Sequence, residues 1–197
     1  MNGLKGGQQT AATSKLGNQS LVPNSSRRRS PLDSPAMYKV GRRDKVVPLT
    51  SLPQSDTQAP RPLVVASDNV LRIAYISPGI GQDGDVMVRV TFNLPHAHMV
   101  GPPNDETFSR HPLARRGLEP YGAFEIEHSS WIRQLKRMSS VHSHYSPEPF
   151  EWLRHYVFSF RDTTFECVAH GFDYEIEPLS DTVASATEEN PGGAQER

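Results

Sequence analysis

Apolar and polar residues alternate with period two on both sides of a short polar turn near the C-terminal end of the chain. Tyr156, Phe158 and Phe160 alternate with Val157 and Ser159, and after the turn Phe165, Cys167 and Ala169 alternate with Thr164, Glu166 and Val168. This pattern predicts a half-buried β-hairpin, with strands over 155–161 and 164–176, as the centre of the core. Upstream, Val86, Val88, Val90, Phe92 and Leu94 occupy one face of a second clear strand, and Met87, Arg89, Thr91 and Asn93 occupy the other. One dry face and one wet face suit an antiparallel sheet. Residues 70–77 (VLRIAYIS) and 123–127 complete the expected strands.

The period lengthens to that of a helix after Ser129 and Ser130, either of which can cap it. Trp131, Leu135 and Met138, with Ile132 alongside, form one stripe over 130–141; Arg133, Lys136 and Arg137 lie opposite. Ser146-Pro147-Glu148 has the order of an N-cap, a first-turn proline and a first-turn acid, which predicts a second helix over 147–154 burying Phe150 and Leu153, with Trp152 beside them. Strands, then helices, then strands point to an α+β fold: a small antiparallel sheet of four to five strands with one or two helices packed on one face.

Outside 67–178 the periodicity disappears. Residues 1–66 are rich in Ser, Pro, Gln and basic residues, and 179–197 are polar and acidic. Such segments lack the apolar area that offsets the entropy of ordering, so both read as disordered flanks of a single domain. Within the domain, 95–122 reads as a long loop with five prolines, and loops of this length tend to carry function. Its basic residues Arg110, Arg115 and Arg116, with His111 among them, are the first candidates for a binding surface.

Charge sharpens this division. Residues 1–62 hold ten Lys/Arg against three acids, a balance of +7, whereas 63–197 hold 11 against 19, a balance of −8. A basic arm on an acidic body follows, with Arg27, Arg28 and Arg29 as the arm's densest cluster. The arm suits weak, phosphate-type contact with nucleic acid or an acidic surface, and the acidic body argues against such contact by the folded part. Ser30, next to the cluster, would cancel part of that charge if phosphorylated. The single cysteine, Cys167, excludes an intramolecular disulfide and fits a reducing, cytoplasmic setting. No apolar run is long enough to span a bilayer, and no signal-peptide core is present. Delivery by another route would fall to the polar, acid-poor leader.

Four motifs invite chemistry. Gly79, Gly81 and Gly84 satisfy G-x-G-x-x-G after a strand, but a strand follows where a dinucleotide site requires a helix, so a hairpin turn is expected. His96 and His98, and likewise His142 and His144, form His-x-His pairs that would give four imidazoles to zinc or a similar divalent metal if brought together. Cys167 falls on the core face by alternation and is expected to be inert. Arg161 and Glu166 flank the hairpin turn and are expected to pair across it, a contribution of roughly 0.2–1 kcal/mol.

Two classes of function follow. One is a non-catalytic binding or regulatory module without a cofactor, engaging a protein partner through the 95–122 loop and the basic arm, a secreted effector being one form of it. The other is a metal-dependent enzyme built on the two His-x-His pairs.

Overall fold

The computed structural model describes residues 38–59, 61–79 and 84–179. The Arg27–Arg29 cluster, Ser30, the G-x-G-x-x-G interior from residue 80 to 83, and the acidic segment from residue 180 lie outside the described residues.

The strands are β1 (Lys45–Pro48), β2 (Leu63–Ala66), β3 (Leu71–Ser77), β4 (Val86–Asn93), β5 (Ala97–Gly101), β6 (Ala123–Glu127), β7 (Arg154–Ser159), β8 (Thr164–Ala169) and β9 (Gly171–Pro178). Among the described residues one α-helix, α1 (Ser130–Ser139), and 3-10 turns at Phe108–Arg110, Ala114–Arg116 and Glu148–Glu151 complete the elements. The strands form two antiparallel sheets, a five-stranded one in the order β1-β6-β7-β8-β5 and a four-stranded one in the order β2-β3-β4-β9. The α+β class therefore holds, with helices on one face of a sheet. The four-stranded sheet covers that sheet's other face.

The central hairpin is consequently buried on both sides, not half-buried. In the β7–β8 register Tyr156 opposes Cys167 and Phe158 opposes Phe165, and these four face the second sheet. The alternate positions His155, Val157, Glu166 and Val168 face the helices and are equally buried. The polar residues among them read as wet from the sequence because alternation cannot tell water from a partnered polar interior. Between the sheets Phe92 of β4 is the keystone. Its ring lies 5.4 Å from Phe165, 5.8 Å from Phe158, 6.0 Å from Tyr156 and 6.3 Å from Phe172. Val88 and Val90 are buried beside it as the alternation required, whereas Leu94, assigned to the same face, is exposed. Its backbone turns to φ +47 as the chain leaves the sheet.

Several expected boundaries move. The segment assigned to a disordered arm contains β1 and β2, too short and too mixed in composition to declare themselves; β1 is secured by pairing Val46 with Ile126, and β2 by pairing Val64 with Ile73. The 95–122 loop contains β5, which adds to the edge of β8. The single strand expected over 164–176 breaks at His170, whose N–H donates to the Asn93 carbonyl at 2.9 Å, and β9 departs into the other sheet. The chain also changes sheet between β4 and β5, so two crossings lie side by side. The helix expected over 147–154 is only the 3-10 turn, which buries Phe150 but leaves Trp152 in solvent. α1 ends at Ser139, and Met138 points outward. None of the described helices is long and apolar enough to cross a membrane.

Truncating Phe92 to alanine should cost about 3–5 kcal/mol, because four rings lose a shared neighbour. Thr91→Ala, on the solvent side of the same strand, should cost no more than about 0.5 kcal/mol. Urea unfolding of the two variants checks the contrast, and similar midpoints would contradict this account of the core.

Candidate functional site

Between the five-stranded sheet and the helices lies a closed polar cluster centred on Glu166. Its Oε2 accepts from the Tyr38 hydroxyl at 2.6 Å and from His155 Nε2 at 2.9 Å, and its Oε1 accepts from His111 Nε2 at 3.2 Å. The tautomers follow from the outer bonds. The Leu113 N–H donates to His111 Nδ1 at 3.1 Å, so the ring proton sits on Nε2. Ser129 Oγ receives the Ile132 N–H as the cap of α1, so its own proton is free for His155 Nδ1 at 2.9 Å. Each of these buried polar groups therefore has a partner.

Electrostatics agree with the geometry. Burial alone pushes the Glu166 carboxyl up, but hydrogen bonds from His111 and His155 outweigh it and hold the carboxyl at about 2. Burial, followed by the neighbouring Glu166 charge, drives the Tyr38 phenol well above its ordinary range, so it stays a donor. The same two causes raise the Cys167 thiol, which is fully buried as expected and is not activated as a nucleophile. Ser129, His155 and Glu166 stand in the order of an acyl-transfer triad, yet Ser129 Oγ is occupied as a helix cap and His155 has no exposed surface. The arrangement holds the layers together. Tyr38 stacks on Trp131 at 5.5 Å and meets His155 edge-on, which brings the segment before β1 into the same cluster.

A second set of bonds ties that segment to the start of α1. The buried Asp44 carboxylate accepts from Gly41 N at 3.0 Å, Ser130 Oγ at 2.8 Å and Arg133 Nη2 at 3.0 Å. Arg116 Nη2 donates to the Gly41 carbonyl at 3.2 Å, which anchors the Ala114–Arg116 turn to the same loop. Arg42 and Arg43, adjacent to Gly41, are exposed, as are Arg115, Arg116 and Arg110. Arg133 is largely matched by Asp44, but Lys136 and Arg137 continue along α1, a helix that carries no acid. Exposed basic residues thus gather around Gly41 and along α1, while the acids Glu148 and Glu151 stand on the 3-10 turn and Asp173, Glu175 and Glu177 on β9, where Glu177 pairs with Arg89.

Of the residues singled out from sequence, Arg110, Arg115 and Arg116 are exposed on the two 3-10 turns, and Arg116 reaches the Gly41 loop, but His111 turns inward to Glu166. Glu166 does not pair with Arg161 across the turn, because it points toward the helices and is saturated there. His96, His98, His142 and His144 are all exposed, His96 with its ring 5.5 Å from Phe150. Among the described residues no three His, Cys, Asp or Glu gather as a metal-binding group. Arg42 and Arg43 escaped notice because they fall in the segment read as disordered, and only the Gly41 contacts place them beside Arg116.

An open cleft of about 340 Å³ marks the corner where the chain twice changes sheet, lined by Asp68, Leu94, His96, Phe150, Leu153 and His170 among others. Comparison of the chain with protein-family models, curated proteins and solved structures gives no match.

The Glu166 cluster sets a pH dependence. A glutamate ordinarily titrates near 4.5, and here the value is lowered to about 2. The carboxylate therefore contributes up to about 3 kcal/mol of stability that is fully present above the unfolded value and lost as pH falls toward 2. Glu166→Gln should be less stable than the parent by about 3 kcal/mol at neutral pH, since an amide cannot accept all three donors. The gap should narrow as denaturant melts are repeated below about pH 4.5. A gap independent of pH would refute the assignment.

Proposed function

We propose that this chain is a non-catalytic binding module whose basic helical face holds an acidic partner. The observation that carries the reading is the convergence around Gly41 of Arg42, Arg43, Arg115 and Arg116 from two distant parts of the chain. Guanidinium groups present planar donor forks suited to carboxylates and phosphates. The Gly41 N–H donates to Asp44 and Ser130 and its carbonyl accepts from Arg116, which holds the loop that displays them, so less order is lost on binding than by a free arm. The buried ionisable groups, by contrast, satisfy one another and offer a substrate nothing. Exposed charge pairs are individually worth about 0–1 kcal/mol, so affinity must come from several at once and must weaken with salt.

The test is fluorescence anisotropy of the full chain with a labelled polyglutamate peptide and a labelled single-stranded oligonucleotide. Binding to at least one should fall with rising salt. It should weaken about tenfold or more in the quadruple variant Arg42→Ala, Arg43→Ala, Arg115→Ala, Arg116→Ala, the loss of four contacts worth several tenths of a kcal/mol each. The variant retains the N-terminal arm, so undiminished binding would transfer the role to that arm and overturn the reading.

A further inference from the structure

The two sheets leave four edge strands, and these are unequal. β1 and β2 are four residues long and β5 is five, whereas β9 runs for eight. Among the described residues β9 pairs only with β4, and the register is unbroken along its whole length. The Leu179 N–H donates to the Asp85 carbonyl at 3.2 Å, one step beyond the register pair Val86 and Pro178. By that alternation the odd-numbered residues of β9 bond to β4. The N–H and C=O groups of Phe172, Tyr174 and Ile176 therefore point away from the sheet, and Asp173, Tyr174, Glu175 and Ile176 are all exposed. An edge of this length is a template for another strand unless a proline, a bulge or charge blunts it. β9 has no proline before Pro178 and no bulge, so its charges decide what it admits.

The two faces of the strand make different demands. On the inner face Ile73, Val90 and Tyr174 form one cross-strand row, and Tyr75, Val88 and Ile176 form the next. Ile73, Val88 and Val90 are 0% exposed, but Tyr174 is 41% and Ile176 47% exposed. The apolar rows of the core thus run out to the edge and stop there uncovered. On the outer face Asp173, Glu175 and Glu177 stand in file. The Asn93 side-chain amide donates to Asp173 at 3.0 Å, and Arg89 pairs with Glu177. Glu175 forms no ion pair among the described residues. The other cation of this face, Arg72, stands on β3 beyond Thr91.

These acids weigh against a second copy of the chain. Antiparallel pairing of Tyr174 with its own counterpart sets Asp173 of each copy opposite Glu175 of the other. The neighbouring registers set Glu175 against Glu175, or Asp173 against Asp173. Like charges directly opposite destabilise a ladder, whereas opposite charges support it. We propose that β9 is the docking edge for an extended segment of a protein partner in which Lys or Arg alternates with apolar residues. The segment's backbone bonds to Phe172, Tyr174 and Ile176. Its apolar side chains continue the rows that end at Tyr174 and Ile176, and its cations meet Asp173 and Glu175. This surface is independent of the arginines around Gly41.

Fluorescence anisotropy of the full chain tests this with a labelled peptide of alternating valine and lysine, eight residues long to match β9. The peptide should bind, and one of alternating valine and glutamate should not. In the docked strand the valines share the inner face, so their N–H groups are the ones that reach β9. N-methylation of the valines should abolish binding, and N-methylation of the lysines should leave it. Asp173→Lys with Glu175→Lys should weaken binding of the lysine peptide roughly tenfold or more, as two attractive cross-strand pairs become repulsive. The same variant should admit the glutamate peptide, a reversal that a misfolded protein cannot give. No binding of the lysine peptide would overturn the proposal. Binding that survives methylation of the valines would be charge attraction without strand addition, and would overturn it equally. Self-association of the parent chain that Tyr174→Pro abolishes would assign the edge to a second copy instead. The quadruple arginine variant should bind the lysine peptide as the parent does, so either reading can fail without the other.

Discussion

A carboxylate held in the interior must be surrounded by donors, and Glu166 recruits them from three separate parts of the chain. His155 comes from the neighbouring strand, His111 from the turn after Phe108–Arg110, and Tyr38 from the segment before β1. Breaking such a group away from its donors costs several kcal/mol, far more than a surface ion pair contributes. The cluster therefore does more than fill space between layers. It dictates where the loop segment 108–118 and the entering chain must lie, and the hydrophobic contacts of Leu113 and Trp131 then close around that geometry.

The position of the basic face follows from this requirement. His111 and Leu113 point inward, so Arg110, Arg115 and Arg116 are left outside on the same short turns. Tyr38 and Asp44 point inward, so Arg42 and Arg43 are left outside between them. One set of buried bonds thus fixes both the interior and the exterior of the helical layer. The opposite sheet is under no such demand. Its core contribution is apolar, and its β9 edge displays acids.

The strongly periodic elements were legible in the chain. β3, β4, β6, the β7–β8 hairpin and α1 with its Ser129 cap all stand where alternation and capping residues placed them, because each buries a continuous apolar stripe. β1, β2 and β5 did not announce themselves, being four or five residues long and stabilised by pairing with distant partners. The break at His170 was equally hidden, since β8 and β9 continue one alternating pattern although they belong to different sheets. The arginines of the 95–122 loop were visible as candidates, but their companions Arg42 and Arg43 were not.

What the sequence determined by itself was the antiparallel α+β character, the identity of the aromatic core and the inertness of Cys167, since each depends on local spacing and on the cost of wetting apolar surface. What only the tertiary structure decided was the second sheet, the inward turn of Glu166 and His111, and the placing of the Gly41 loop, with Arg42 and Arg43, beside Arg116. Alternation reports which side chains share a face but not what lies against that face. A polar residue facing water and one facing three donors have the same spacing, and only long-range packing distinguishes them.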